Sequence, residues 1–340
     1  MKSKLISVLK ISVFFAIGLL LVWLSFKDLS QENIAQLKKS LVDANYSWIF
    51  LSVIVGLFSH VLRAYRWNML AEPLGYQAKL SNSFFAVMVG YLVNYGVPRL
   101  GEVSRCTLLN KYEKIPFTKS FGTVVAERVF DLIFFFLIVL IMLFTQYAVI
   151  STYLSQTFYP ILEKKYVQFS ENKTILAVIS GILFILIVSL FLLRRKLKNL
   201  LSEKVSGFIK GFYDGLISVK KVKRPVWFIF QTALIWFCYY LALYFCFFSF
   251  KESSVLGFNA AITAFVFGSL TVMVTPGGIG AYPYAIQKVL LLIYGVNEAT
   301  GASLGWLSWC ASFIVIVFTG LISLVLLPLL NRNYKPSSIL

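Results

Sequence analysis

Long apolar runs separated by short polar segments dominate this chain. Several approach the roughly 20 residues that an α-helix needs to cross a bilayer. Turn residues and charges bound most of them, which is typical of a protein that crosses the membrane repeatedly. The pattern therefore predicts an all-α integral membrane protein, a polytopic helical bundle, with membrane helices at about Leu5–Phe26, Ser47–Met69, Phe117–Tyr147, Thr174–Leu193, Val226–Phe250 and Gly301–Leu330.

Two further apolar runs are interrupted by proline and glycine. The first, "FFAVMVGYLVNYGVPRLGEVSR", breaks at Pro98, and the second, "AAITAFVFGSLTVMVTPGGIGAYP", breaks at Pro276. Because these residues end helices, we expect one broken hairpin over residues 80–112 and another over 256–295. The second arm of the first hairpin, Gly101–Tyr112, would extend about 18 Å, short of a hydrocarbon core of about 30 Å. A re-entrant hairpin is therefore favoured over two complete crossings.

The distribution of charged residues in the loops indicates which side of the membrane each segment faces. The chain is 59% hydrophobic, with a mean hydropathy of +0.80 and a formal charge of +18. Ten Lys and Arg residues lie between Arg194 and Arg224, and the N-terminus is also basic. Both are therefore expected in the cytoplasm. The loop from Lys27 to Tyr46 is balanced in charge and suits the outside. Attraction to anionic lipid head groups is a second explanation of the basic excess.

The order helix, broken hairpin, helix occurs twice. Ser47 precedes Pro98 by 51 residues, and Val226 precedes Pro276 by 50. Charge places the two halves in opposite directions, which is typical of an inverted-topology repeat. We expect a single membrane domain with a first helix and outer loop (1–46), repeat 1 (47–147), an outer loop and helix (148–193), a basic cytoplasmic segment (194–224), repeat 2 (225–330) and a cytoplasmic tail (331–340). An apolar stripe within 194–224 predicts an interfacial helix, with a solvated linker helix as the alternative.

Charged residues follow the first break. Irregular backbone within a membrane must be buried or line a wet cavity, and helix ends there offer N–H groups to an anion. Glu102 and Arg105 are three residues apart and could pair on one helical face. Arg99 would then be free to bind a phosphate, which suits a forked guanidinium. The alternative is that all three lie at the cytoplasmic interface and only snorkel.

The segment "AERVFD" carries Glu127, Arg128 and Asp131 on a long apolar helix. Two negative charges and one positive charge require another cation, because unpaired charge is costly in lipid. A structural ion-pair network and a substrate or proton relay both remain open. The candidates for the missing cation are Arg63, Arg66, Arg99 and Arg105.

Other candidate residues are less specific. Arg63 and Arg66 are expected to mark the cytoplasmic end of the second helix, and His60 shares a face with Arg63. His60 reads as a packing residue, with a proton role as the alternative. A single histidine excludes a multi-histidine metal site, and we expect no cofactor and no nucleic-acid partner. After the second break, Pro276, Gly277, Gly278 and Gly280 would allow close approach to a ligand or to the other hairpin, or form a simple tight turn.

Four motifs together resemble a known family. They are "RAYRWNMLAEPLG", "GYLVNYGVPRLGEVSRCTLL", "GTVVAERVFDL" and "TPGGIGAYP", spread over about Ser47 to Leu330. Their order is similar to that of the lysylphosphatidylglycerol synthase transmembrane-region family, which resembles the flippase half of the multiple peptide resistance factor. Family members often carry an acid where this chain has Pro283. Glu102, Glu127 or Asp131 would then perform the role of that acid, or this protein would bind a different lipid from other family members.

The resemblance implies a flippase-like transporter of an anionic, phosphate-containing lipid in the bacterial inner membrane. The chain stops at Leu340, soon after its last apolar run, so we expect a stand-alone member without the synthase domain and not an enzyme. The substrate would contact the residues around the two breaks and on the long helix. The alternative is a non-transporting scaffold for an enzyme that modifies lipid or the cell envelope. Membrane lipids are the expected partners, together with another copy of the chain or a membrane enzyme.

Overall fold

The computed structural model describes residues 16, 18–27, 29–153, 155–156, 159–160 and 222–333. These residues are mostly helical, and none of them forms a strand. The predicted helix Thr174–Leu193, the predicted interfacial helix and residues 1–15 lie outside the described part. Residues Gln146–Asp214 belong to a second compact unit, in which Tyr147–Tyr153 is helical.

We number twelve of the described helices in chain order. Five helical stretches among the described residues are long and apolar enough to cross a membrane, namely Tyr46–Leu74, Phe117–Thr145, Pro225–Phe247, Gly257–Val274 and Glu298–Leu330. The prediction of an all-α polytopic membrane protein is therefore confirmed. The helices are α1 (18–26), α2 (Gln31–Val42), α3 (Tyr46–Ala71), α4 (Leu80–Gly96), α5 (Leu100–Glu113), α6 (Phe117–Thr145), α7 (Tyr147–Tyr153), α8 (Pro225–Phe247), α9 (Lys251–Ser254), α10 (Gly257–Val274), α11 (Ala281–Tyr294) and α12 (Glu298–Leu330).

The segment that was predicted as a loop between Lys27 and Tyr46 contains helix α2. The Ser30 hydroxyl caps its start by accepting a hydrogen bond from the backbone N–H of Asn33 at 3.1 Å. Such a cap satisfies one of the free donors of a helix start. Most of the surface of α2 is exposed, but the helix packs against α12. Its half-buried apolar residues, Ile34, Leu37 and Leu41, recur at helical spacing.

Helices α4 and α5 form hairpin 1, and α10 and α11 form hairpin 2. The first arms have 17 and 18 residues, and both second arms have 14. In each break a residue with extended backbone precedes the proline, and the residue after the proline has positive φ. That residue is Arg99 (φ 66°) in hairpin 1 and Gly277 (φ 58°) in hairpin 2.

The ends of the hairpins also match. Each second arm is followed by a residue with positive φ, Lys114 (φ 57°) in hairpin 1 and Gly295 (φ 65°) in hairpin 2. In both cases three residues then separate the second arm from the next long helix, α6 or α12. The two halves therefore share the order of their elements and the lengths of the hairpin arms, as expected for an internal repeat. The break of hairpin 2 is longer, and its Gly278 and Gly280 also have positive φ.

Helices α3 and α8, which open the two repeats, run antiparallel. As the chain proceeds along α3, its contacts on α8 move backwards along the sequence. The equivalent elements of the two halves thus point in opposite directions, in agreement with the predicted inversion. The defining hydrogen bonds are Asn45 N to Ser249 O at 3.0 Å, Ser52 Oγ to Ala242 O at 2.6 Å, and Arg66 Nη1 to Thr232 Oγ1 at 3.0 Å.

Helix α12 extends along both hairpins. It has 33 residues. A helix of that size is about 50 Å long. The open ends of the hairpins lie near its two ends, and both breaks lie near its middle, an arrangement that favours re-entrant hairpins over complete crossings. The contacts in order along α12 are Glu298 with Lys288 (2.6 Å), Trp309 Nε1 with Gly277 O (2.9 Å), Phe313 with the Tyr95 ring (5.1 Å between centroids) and Asn331 with Asn82 (2.7 Å).

Close helix contacts within the hairpins depend on glycine. Gly90 of α4 and Gly101 of α5 lie against each other so closely that a Cβ on Gly101 would overlap the Gly90 carbonyl. In hairpin 2, Gly268 lies against the ring of Tyr282. Gly90 and Gly268 each precede the proline of their break by eight residues.

Candidate functional site

Helices α3, α5 and α6 bring five charged side chains together in the interior of repeat 1. We call this set the arginine cluster. None of its residues is more than 6% exposed. Its members are Arg63 and Arg66 from α3, Arg105 from α5, and Glu127 and Asp131 from α6.

Glu127 is the centre of the arginine cluster, and its side chain is fully buried. Its Oε2 accepts a hydrogen bond from Arg105 Nη2 at 2.5 Å. Its Oε1 accepts one from Arg63 Nη1 and lies 3.5 Å from Nη2 of Arg66. A single carboxylate therefore contacts guanidinium groups from two different helices.

Asp131, one turn further along α6, completes the ion pairs. Its Oδ1 accepts a hydrogen bond from Arg66 Nη2 at 2.7 Å, and its Oδ2 lies 2.9 Å from Arg63 Nη1. Three guanidinium groups thus face two carboxylates, which leaves one surplus positive charge. Arg63 and Arg66 supply the cation that the sequence required, together with Arg105. Arg63 and Arg66 lie near the C-terminal end of α3 and are buried. The expectation that this end of the helix is cytoplasmic stays a prediction.

Neutral side chains orient the three arginines. Arg63 Nε donates to Tyr239 Oη at 3.1 Å, and the Arg105 guanidinium lies 3.9 Å from the centroid of the Trp67 ring. Arg66 Nη1 donates to Thr232. Since Tyr239 and Thr232 belong to α8, repeat 2 helps to hold the charges of repeat 1. Nothing in the sequence alone connects these residues to the cluster.

Two donors of the arginine cluster lack an acceptor. The Nε–H groups of Arg66 and Arg105 are buried, and no described residue accepts a hydrogen bond from either. A buried donor without a partner costs about 1–3 kcal/mol, and more when the group is charged. These two groups are therefore unsatisfied donors inside the arginine cluster.

Glu102 and Arg128 form a separate pair beside the arginine cluster. Arg128 Nη2 donates to Glu102 Oε1 at 2.6 Å, and the side chain of Arg128 is 44% exposed. The predicted pair between Glu102 and Arg105 is not formed. The two residues share a face of α5, but they meet different residues of the neighbouring helix α6. Glu102 pairs with Arg128, and Arg105 pairs with Glu127.

Arg99 does not reach the arginine cluster. It is exposed at the break of hairpin 1, directly before α5. Its backbone is left-handed. That conformation costs about 1–2 kcal/mol for a residue with a Cβ. The equivalent position in hairpin 2 is a glycine.

Comparisons with known proteins agree with this architecture. The family model described as "Lysylphosphatidylglycerol synthase TM region" matches residues 8–320, nearly the whole chain. The chain belongs to this family. The match concerns the family's membrane region, which accords with the five long apolar helices described above.

Two relatives from Methanocaldococcus jannaschii are membrane proteins by name. UPF0104 membrane protein MJ1595 is 35% identical over 96 residues, which cover 27% of this chain and 29% of the relative. UPF0104 membrane protein MJ1078 is 31% identical over 207 residues, covering 59% of this chain and 79% of the relative. No solved structure matches the chain.

His60 of this family member packs among aromatic rings. Its ring centroid lies 5.0 Å from that of Tyr91 and 6.1 Å from that of Tyr239. The hydroxyl oxygens of those two tyrosines are 3.5 Å apart. His60 Nδ1 has no hydrogen-bond partner among the described residues. These contacts favour a packing role.

The glycine break of hairpin 2 contacts hairpin 1 directly. A Cβ on Gly277 would overlap the ring of Tyr95, and the Gly277 carbonyl accepts a hydrogen bond from Trp309. Gly280 lies against the backbone of α1 at Gly18. In this conformation the Tyr95 ring lies at the contact between the two breaks. The neighbouring residues Pro276 and Gly278 are buried.

Within the described part of the chain, no group of three or more His, Cys, Asp or Glu residues is arranged to hold a metal ion. No described hydrogen bond or ion pair connects the glycine break to the arginine cluster. The structure thus brings together most of the predicted charged residues but places the glycines at a second location.

Proposed function

We propose that this protein moves an anionic, phosphate-containing lipid across the membrane. The observation that carries the proposal is the surplus positive charge of the arginine cluster. A buried charge is tolerated when it is paired, and the cluster holds one cation more than its carboxylates can pair. A phosphate would supply the missing negative charge.

The geometry of arginine suits that ligand. Guanidinium groups bind phosphate through parallel N–H donors, and they lose less water than an ammonium does. The Nε–H groups of Arg66 and Arg105, which have no acceptor among the described residues, would be donors for such a ligand. The charge of the head group, more than its other substituents, would then decide binding.

The two hairpins provide a route. They approach the middle of α12 from opposite ends and meet where Tyr95 contacts Gly277. Rocking of one repeat against the other would separate the breaks on one side at a time, as in other inverted-repeat transporters. Transport would be passive or driven by an ion gradient.

We further propose a bacterial cytoplasmic membrane with both termini inside. The described loops at the open end of hairpin 1 are rich in basic residues, namely Lys79, Lys111, Lys114, Lys223, Arg224 and Arg332. The positive-inside rule assigns that end to the cytoplasm. Cysteines at Lys111 and Val255, both exposed, should react with impermeant reagents from opposite sides in otherwise cysteine-free protein. Reaction from the same side would reject this orientation.

Lipid exchange in liposomes tests the function. Purified protein would be reconstituted with fluorescent phosphatidylglycerol, and the fraction that becomes accessible to an external quencher would be followed over time. We expect lipid exchange by the native protein to be faster than in protein-free liposomes. Exchange by the Arg105→Gln variant should be at least tenfold slower than native exchange, because loss of about 1.4 kcal/mol of phosphate binding by this arginine corresponds to a factor of ten. Arg332→Gln, an exposed arginine at the end of α12, is the matched control and should exchange normally.

Arg99→Gly gives a second test that does not depend on the stability of the arginine cluster. Glycine already occupies the equivalent left-handed position in hairpin 2. Because glycine adopts that conformation without strain, the variant should fold at least as well as the native chain. If Arg99 contacts the lipid phosphate during entry, exchange should slow while stability is retained. Exchange no faster than in protein-free liposomes for several anionic lipids would refute transport.

A non-transporting scaffold is the second candidate function. The observation that favours it is the tight pairing of both carboxylates, since each already contacts two or more arginines. In that case the arginine cluster only joins helices, and Arg105→Gln would lower stability without any exchange activity to lose.

A further inference from the structure

The exposed face between α5 and α6 carries a charged pair in an apolar surface. On α6 the residues Phe121, Val125 and Phe136 are exposed, and on α5 so are Leu100 and Val103. The α6 residues lie at helical spacing, and Arg128 interrupts their stripe. No described residue covers this surface.

The charges lie deep along the helix. Arg128 follows Phe117, the first residue of α6, by about three turns. That is a distance of about 16 Å, close to half the thickness of a bilayer core. A charged side chain facing lipid at that depth is costly and marks a functional position by default. Its pairing with Glu102 at 2.6 Å lowers that cost but leaves the Arg128 side chain 44% exposed.

The Glu102–Arg128 pair lies next to the arginine cluster both in the sequence and in the folded protein. Arg128 follows Glu127 in α6, and Glu102 lies one helical turn before Arg105 in α5. Asn94, at the break, holds the other side of the pair: its Nδ2 lies 3.5 Å from Glu102 Oε2. A ligand that displaced Glu102 from Arg128 would thus arrive beside the buried cluster.

We propose that this α5–α6 face is a lateral binding site for one phospholipid from the surrounding bilayer. The phosphate binds Arg128 in place of Glu102, and the acyl chains lie along the exposed apolar residues of α5 and α6. This inference rests on the proposed function, for which it supplies the entrance to the arginine cluster. Charge complementarity selects the occupant, because a phospholipid combines an anionic group that would pair with Arg128 and apolar chains that would cover the surrounding residues.

Fluorescence quenching measures this binding without any transport. A fluorophore attached to Val125→Cys in a background without the native cysteines would be quenched by brominated phosphatidylglycerol and, separately, by brominated phosphatidylcholine. One arginine contact predicts about fivefold preference for phosphatidylglycerol. The same fluorophore at Phe144→Cys is the matched control, since Phe144 is exposed on the same helix in a segment without charges and should show no preference.

Two variants locate the contact. Arg128→Gln should remove the preference at position 125, and Glu102→Gln should increase it, because the competing carboxylate is gone. Equal quenching by the two lipids in the unaltered site, or a weaker preference with Glu102→Gln, would overturn the proposal. The Glu102 variant keeps Arg128 in place, so it decides the matter even if Arg128→Gln fails to fold.

The experiments distinguish a failure of the lipid-site proposal from a failure of the transport proposal. Selective quenching without any lipid exchange would retain the site and reject transport. Exchange that persists without selective quenching would retain transport and reject this entrance.

Discussion

Replacing Glu127 with glutamine should be the most damaging single conservative change in repeat 1. The substitution keeps the size and one acceptor of the side chain but removes the charge that three arginines contact. Arg63 and Arg66 would then keep only Asp131 as a carboxylate partner, and Arg105 would lose its ion pair. Removing one partner of a buried ion pair costs about 3–5 kcal/mol, because the remaining charge stays buried.

Glu72→Gln is the matched control. Glu72 pairs with Lys223 at 2.6 Å, but those side chains are 31% and 66% exposed. Exposed pairs contribute about 0.2–1 kcal/mol. The free energies of unfolding of the two variants should therefore differ by at least about 2 kcal/mol.

The unfolding of purified protein in one detergent can be followed by the reaction of Cys106, which is fully buried, with a maleimide, in protein whose other three cysteines have been replaced. We expect the Glu127 variant to expose this thiol at much lower denaturant than the Glu72 variant. Equal midpoints would show that the arginine cluster does not hold α3, α5 and α6 together. Combining Glu127→Gln with Arg105→Gln restores a surplus of one charge, so the double variant should lose less stability than the sum of the single ones.

Three further predictions concern local structure. Lys114→Gly should raise stability by up to about 1 kcal/mol in the same denaturation assay, because glycine carries no Cβ penalty in this left-handed conformation. Gly295 shares the conformation, and a loss of stability would contradict the assigned turn. Gly277→Ala should lower the unfolding midpoint clearly, since its Cβ would meet the Tyr95 ring, and an unchanged midpoint would mean that the breaks do not touch. Ser30→Ala should remove about 1 kcal/mol of cap stabilisation from α2, seen as faster hydrogen exchange there but not in α12.

The sequence predicted the long helices and both breaks because apolar length and proline dominate local structure in a membrane. The predicted helix Val226–Phe250 is found as Pro225–Phe247, and Phe117–Tyr147 as Phe117–Thr145. Helix α2 was missed because its segment was judged by charge balance. The Ser30 cap and the spacing of Ile34 and Leu37 were available as signals.

Five of the charged residues that the sequence singled out lie together in the arginine cluster, but the predicted pair of Glu102 with Arg105 was wrong. Spacing along one helix indicates which residues share a face, and it does not show which helix covers that face. Arg105 and Glu102 therefore meet different residues of α6. Tyr239 and Thr232, which hold two of the arginines, belong to the other repeat, and no local pattern connects them to α3.

Helix α12 contains two glycines that lie close to the hairpins. A Cβ on Gly305 would lie 2.6 Å from the Pro283 carbonyl oxygen of hairpin 2, and one on Gly320 would lie 2.8 Å from Leu92 of hairpin 1. The two glycines are separated by about four helical turns, or about 22 Å along the helix. An alanine at either position would push away one hairpin and leave the other in place. The contact of each hairpin with α12 can therefore be disturbed separately by adding a single methyl group.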